Sequence, residues 1–247
     1  SNDNPVAMMK KLLVSLLSAF LCISVVVEPE TQSDGNQNMN NIGFSSCAET
    51  PKEYVDLGLP SGTLWATCNI GATKPEESGF YFAWGETMPK KIYDWSTYKW
   101  TKLNSEGDID SLIRYNFNEA YGVADSLSNL LSEDDAAIVN LGKDWRMPTK
   151  EEIEELIKNC KYSWTEINGV NGAKFEAPNG NSIFLPAAGT QESFVYNEGN
   201  VGYYWTSSFD GDTAAYVLYF YFHSEEATSR KTVRFIGIPI RPVRSKK

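Results

Sequence analysis

The sequence predicts an α+β domain: two main helices, many short antiparallel strands and long irregular loops. Three observations carry this. Turn signals are dense, with Asn168-Gly169, Asn171-Gly172 and Pro178-Asn179-Gly180 lying between short apolar runs, the pattern of β-hairpins. Helical periodicity is confined to two short stretches, and no internal repeat of fixed period is present. With 247 residues, 42% hydrophobic and 13% aromatic, the chain is also long and apolar enough for one sizeable domain with its own core.

The N-terminal part differs in kind from the rest. Met9-Lys10-Lys11 is a short basic region, and Leu12 to Val27 is apolar except for Ser15, Ser18 and Ser24, matching the first two regions of a secretory signal. The apolar run also approaches the lower length of a membrane-spanning helix, so an uncleaved anchor is the alternative. Ser1–Met8 precede this leader as a cloning scar or a misplaced start. Cys22, with Ala19 three before it, offers a lipidation site, although Leu21 is bulkier than lipoprotein processing normally accepts. The expected organisation is therefore residues 1–27 as extra residues plus signal or anchor, 28–52 as a polar linker, and 53–247 as the folded domain. From Glu30 to Glu49 the chain is rich in Thr, Gln, Ser, Asp, Gly and Asn, which suits a tether. Export to the cell surface or outer membrane follows, with lipid anchoring as one route.

Within the domain, Tyr54-Val55-Asp56-Leu57 reads as a short strand, Gly58-Leu59-Pro60-Ser61-Gly62 as a turn, and Thr63-Leu64-Trp65-Ala66-Thr67 as the next extended segment. Gly79 to Gly85 suggests a second hairpin-like unit, flanked by Pro75 and Pro89. Lys90 to Asp125 is polar with scattered Trp95, Tyr98, Trp100, Tyr115 and Phe117, and predicts an irregular excursion pinned by those rings. A short helix is expected after Ser132, with Glu133, Asp134 and Asp135 at its positive end. The clearer helix follows Pro148: Thr149 and Glu152 form a capping box, and Ile153, Leu156, Ile157 and Cys160 share one face. Strands are predicted at Ala173 to Glu176 and Ser182 to Leu185. The Tyr204-Trp205-Thr206-Ser207-Ser208 run reads as a buried core strand, since it lacks the small-residue frame of a nucleophile elbow. The last long strand, Tyr216 to Phe222, puts Tyr216, Leu218, Phe220 and Phe222 on one face and Val217, Tyr219 and Tyr221 on the other.

Charge and chemistry exclude several functions. Lys+Arg number 22 against Asp+Glu 32, a net charge of −10 whose field repels nucleic acid and anionic membrane surfaces. Any membrane contact is expected only through the N-terminal anchor. Removal of the signal leaves Cys47, Cys68 and Cys160, with Cys68 and Cys160 either paired or small buried hydrophobes. There is one histidine, and no cysteine spacing fits a zinc knuckle. Asp210-Gly211-Asp212 and Glu133-Asp134-Asp135 supply carboxylates, yet neither fits the calcium loop, so no metal and no cofactor are expected. His223 lacks a motif-placed serine or cysteine partner, so no catalytic residue is expected. Trp145, Arg146 and Arg241 read as structural, the arginines satisfying buried carbonyls or carboxylates.

Several motifs, in order, bear a family likeness: Tyr54 to Ala66, Phe82-Ala83-Trp84-Gly85-Glu86-Thr87, Trp145-Arg146-Met147-Pro148-Thr149, Asn181 to Gly189, Tyr204 to Ser208, and Arg241-Pro242-Val243. Together they closely resemble the Fibrobacter succinogenes major paralogous domain, a family of exported proteins of gut Bacteroides-type bacteria, over about Glu53 to Arg244. The resemblance implies a C-type-lectin-like fold, distantly similar to formylglycine-generating enzymes and to retroelement variable proteins. It implies a surface module without catalytic activity and a partner that is an extracellular glycan or protein. In the retroelement-diversified relatives the C-terminal segment contacts ligand, so the resemblance points to Tyr219, Tyr221, His223, Arg230 and Phe235 as binding residues. The alternatives are a structural or tip subunit of a surface or phage assembly and a formylglycine-generating-type enzyme. The latter needs a close cysteine pair in the C-terminal segment, where this chain has none.

Overall fold

The computed structural model describes residues 53–246 apart from 210 and 212. The leader, the linker, Cys22, Cys47 and the carboxylates of Asp210 and Asp212 lie outside the described residues. In chain order the elements are β1 (Tyr54–Asp56), β2 (Thr63–Ala66), β3 (Thr101–Leu103), β4 (Ile109–Leu112), α1 (Ala136–Leu141), α2 (Lys150–Asn159), β5 (Lys161–Ile167), β6 (Val170–Glu176), β7 (Ser182–Pro186), β8 (Thr190–Gln191), β9 (Val195–Tyr196), β10 (Val201–Phe209), β11 (Ala214–Tyr221), β12 (Thr228–Val233) and β13 (Val243–Ser245). The strands form small antiparallel sheets in the orders β1-β2-β13, β3-β4, β5-β6-β7, β8-β9 and β10-β11-β12. With two helices among them, this fits an α+β fold weighted toward strand. Among the described residues no helix is long and apolar enough to cross a membrane.

The core joins three of these sheets through α2. Ile153 and Leu156 of the helix pack with Trp65 of β2, Phe175 of β6, Leu185 of β7, Tyr204 of β10, Leu218 and Phe220 of β11, and Val243 of β13. The helix starts where its sequence says it should: the Thr149 hydroxyl accepts from the Glu152 amide at 3.3 Å, and the Glu152 carboxylate accepts from the Thr149 amide at 2.9 Å. That carboxylate does more than cap. Its two oxygens take a bidentate fork from Arg146 at 2.6 and 2.6 Å, and one also accepts from the Thr63 hydroxyl at 2.6 Å. The Arg146 and Thr63 side chains thereby tie the helix start to the first sheet, in which β13 pairs with β2 and bridges Arg146. Arg241, 1% exposed, donates to the Asn69 carbonyl oxygen at 2.8 Å and to the Ala66 backbone carbonyl at 3.3 Å. Both arginines thus meet buried carbonyls or carboxylates, as their place in the sequence suggests.

Elsewhere the structure corrects the local reading. Residues 79–85 form no hairpin: Phe82 and Trp84 are fully buried, and their amides donate to the distant carbonyls of Ile238 and Arg234. The glycines and aromatics there serve a segment threaded through the core rather than a local turn. The Lys90–Asp125 excursion is irregular but holds the β3-β4 hairpin, and Phe117, expected to pin it, is 47% exposed. The short helix begins one turn later than its acidic run implies. Ser132–Asp134 form a 3-10 turn, and Asp135 is the cap of α1, accepting from the amides of Ala137 and Ile138. The β5-β6 turn is tighter than the Asn168–Gly172 span, with positive φ at Asn168 (51°) and Gly169 (83°), the geometry that right-twisted hairpins need.

Candidate functional site

The β10-β11-β12 sheet has one face in the core and one that opens partway along. In register, Tyr203 stands opposite Tyr219, Val201 opposite Tyr221, Val217 opposite Arg230 and Tyr219 opposite Thr228. Alternation puts Leu218 and Phe220 on the core face, where Phe220 stacks on Tyr204 with ring centres 6.0 Å apart. The opposite face carries Trp205, Tyr203, Val217, Tyr219, Tyr221 and Arg230. Its inner half is covered, with Trp205 and Val217 fully buried and the Trp205 indole N–H donating to the Phe82 carbonyl at 2.8 Å. Cover then runs out. Tyr203 is 8% exposed, Tyr219 is half-buried, and Tyr221 reaches 41%. The strand is thus buried on both faces for half its length and presents tyrosines at the end near the β11-β12 turn.

Four side chains meet at this open end. The Tyr203 and Tyr219 ring centres are 4.9 Å apart, those of Tyr219 and Tyr221 are 5.8 Å apart, and the Arg230 guanidinium carbon sits 4.0 Å from the Tyr219 ring centre. Arg230 reaches Tyr219 diagonally across the strand pair, within the reach of long cross-strand side chains. Among the described residues the Arg230 guanidinium makes no hydrogen bond and no ion pair with the protein, so the stack is what holds it. No described group bonds to the hydroxyls of Tyr203, Tyr219 or Tyr221 either. Burial pushes the Tyr219 phenol above its ordinary value, with Arg230 opposing and Tyr221 adding to the shift. Burial likewise raises Tyr203. Tyr203 and Tyr219 are therefore neutral donors at physiological pH.

Of the residues the sequence singled out, Tyr219, Tyr221 and Arg230 are brought together and the other two are not. His223 lies at the exposed tip after β11 with φ of 73°, its ring 3.8 Å from that of Phe222. Phe235 is corrected outright: it is 6% exposed and packs edge-on against Trp95 at 5.2 Å, because the chain turns inward after β12 to line the core. Phe222, grouped on paper with the core-facing Phe220, is 46% exposed, since the strand has ended and its amide instead donates to the Asn200 carbonyl at 2.8 Å. Two aromatic groups escaped sequence reasoning. Tyr203 joins the stripe only through the Tyr203–Tyr219 register. The β8-β9 hairpin presents Phe194 (73% exposed) and Tyr196 (47%), for which the available signal was an aromatic pair set among Glu192, Ser193 and Asn197.

Among the described residues, the serines, cysteines and Asp135 are committed elsewhere. Ser207 and Ser208 are buried, and the Ser208 hydroxyl is committed to Asn129 and the Lys150 amide. Cys68 and Cys160 are both free and buried, and burial pushes the Cys160 thiol up to about 11, so it is no ready nucleophile. Asp135 is held by the amides of Ala137, Ile138 and Met147, and burial raises its carboxyl against those bonds. Two surface clefts lie away from the stripe, one of about 390 Å³ at Phe117, Ala124, Asp125 and Ser126, the other of about 290 Å³ between Tyr54, Asp56, Arg244 and Lys246. The stripe itself is an open surface. Comparisons of the chain with family models, with curated proteins and with solved structures found no match.

Proposed function

We propose that this chain is an exported, cell-surface-tethered, non-catalytic module. It binds an extracellular glycan or protein through the open end of the β10-β11-β12 sheet. The observation that carries this reading is the exposed Tyr221 next to Tyr219, over whose ring lies an Arg230 guanidinium that bonds to no described protein group. Tyrosine and arginine are the side chains recognition surfaces favour: rigid apolar bodies with polar tips, anchored before the ligand arrives. The motif order from Tyr54 to Val243 supports a C-type-lectin-like fold of the major paralogous type. The leader at Met9 to Val27 and the polar stretch after it support export and a tether. The test is a glycan array and a pull-down from extracellular protein, run with the native chain and with Tyr221→Ala/Arg230→Ala. Binding lost in the variant supports the reading. Binding that survives it, or blanks in both assays, removes it.

One observation favours a second reading, a structural or tip subunit of a surface or phage assembly. Phe194 is 73% exposed on a two-residue-strand hairpin, a shape suited to packing on a neighbour. Native fractionation separates the two: recovery in a particle or fibre favours the assembly reading, and a free surface monomer favours the binding module.

A further inference from the structure

We infer that the ligand of the Tyr219–Tyr221–Arg230 surface is an acidic saccharide, with its anionic group taken by Arg230 and a sugar face laid on Tyr221. This rests on the binding reading above and narrows it. The argument begins with how Arg230 is held. A guanidinium stacked on a ring uses its flat face, while its donors point outward in the plane. The Arg230 guanidinium carbon lies over the Tyr219 ring, 4.0 Å from its centre, and no carboxylate among the described residues lies within ion-pair distance of it. The fork is therefore open to an oxyanion and, among the described residues, unspent. In a chain of net charge −10, Arg114, Arg146 and Arg244 are paired with carboxylates and Arg241 donates to carbonyl oxygens, whereas the Arg230 guanidinium has neither kind of partner among the described residues.

The neighbouring rings set the rest of the ligand. Arg230 covers one face of Tyr219, so Tyr219 serves as the support and contributes its hydroxyl. Tyr221, 5.8 Å away and 41% exposed, is the ring left open for stacking. Tyr203 and Tyr219 hydroxyls are neutral donors and acceptors beside it, and pyranose hydroxyls pair with such groups. Steps of 4.9 and 5.8 Å between ring centres give a stripe on the scale of one or two sugar rings. A stable protein interface needs about 20–30 residues a side, many more than this stripe offers.

The anion is a carboxylate or a sulfate, and the experiment separates these sources. The native chain is titrated with uronate, sialylated and sulfated oligosaccharides and with their neutral methyl-esterified or desulfated counterparts. The expected result is binding of the acidic member of one pair, at least tenfold weaker binding of its neutral counterpart, and a tenfold to hundredfold loss in Arg230→Ala, on the scale of one charge-assisted fork. Arg230→Lys keeps the charge but not the fork and should recover only part of the loss, while Tyr219→Phe keeps the stack and should lose no more than about tenfold, the scale of one neutral hydrogen bond. Acidic and neutral members binding alike, with Arg230→Ala unaffected and Tyr221→Ala defective, would overturn the acidic assignment and leave the binding face standing. Blanks for every saccharide, with a protein captured through Tyr221, would overturn it in favour of a protein ligand.

Discussion

Replacing Glu152 with alanine tests the frame that holds the sheets in place. One carboxylate serves four donors: two Arg146 nitrogens, the Thr63 hydroxyl and the Thr149 amide. Removing it strands a guanidinium and takes away the Glu152 half of the capping box in a single step, leaving the Thr149 amide without its acceptor. Breaking a buried pair at one partner costs about 3–5 kcal/mol, and the Arg146 side chain keeps 33% of its surface in water, which favours the lower end, about 3 kcal/mol. In urea, with a slope of about 2–3 kcal/mol per molar, the midpoint should fall by about 1 M or more. Equilibrium denaturation followed by circular dichroism reads this directly. The titration carries a sign as well. Burial alone would raise the Glu152 carboxyl, but the bonds from Arg146, Thr63 and the Thr149 amide hold it below its usual 4.5. The stabilisation is thus complete above that value and lost as pH falls through the lower folded one. Glu152→Gln, which cannot titrate there, should lose less stability than the native chain between about pH 5 and 3. A Glu152→Ala variant within about 1 kcal/mol of the native protein would refute the shared-carboxylate argument.

Two further outcomes are expected. A Cβ at Gly202 would sit 2.0 Å from the Phe220 ring, so Gly202→Ala should cost about 1–3 kcal/mol through overpacking and weaken binding by shifting the strand that carries Tyr203; thermal denaturation and a binding assay check both. Cys68 and Cys160 should resist maleimide in the native state and react only after denaturation, as peptide mapping by mass spectrometry would show; rapid native labelling of either would contradict their burial.

How much was legible in the sequence follows the range of the interactions. The capping box at Thr149 and Glu152, the Asn168-Gly169 turn and the β10 and β11 strands are set by neighbours a few residues apart, and the sequence names them well. Residues 79–85 were misread because the partners of Phe82 and Trp84 are Ile238 and Arg234, which no local pattern reveals. The same limit governs the site. Period-two alternation placed Tyr219 and Tyr221 on one face, and the structure keeps them there. It could not place Tyr203, which depends on cross-strand register, nor foresee that Phe235 turns inward against Trp95. That the Arg230 guanidinium has no partner among the described residues is invisible in sequence, because being unpaired is a property of the surroundings.

The most direct test of the binding account is chemical-shift mapping of the isotopically labelled chain during titration with whichever ligand the array or the saccharide panel returns. Shifts concentrated at Tyr203, Tyr219, Tyr221 and Arg230 are the predicted result. Shifts that leave these four unmoved and fall instead at the Phe117–Ser126 cleft, the Tyr54–Lys246 cleft or the Phe194 hairpin would contradict it.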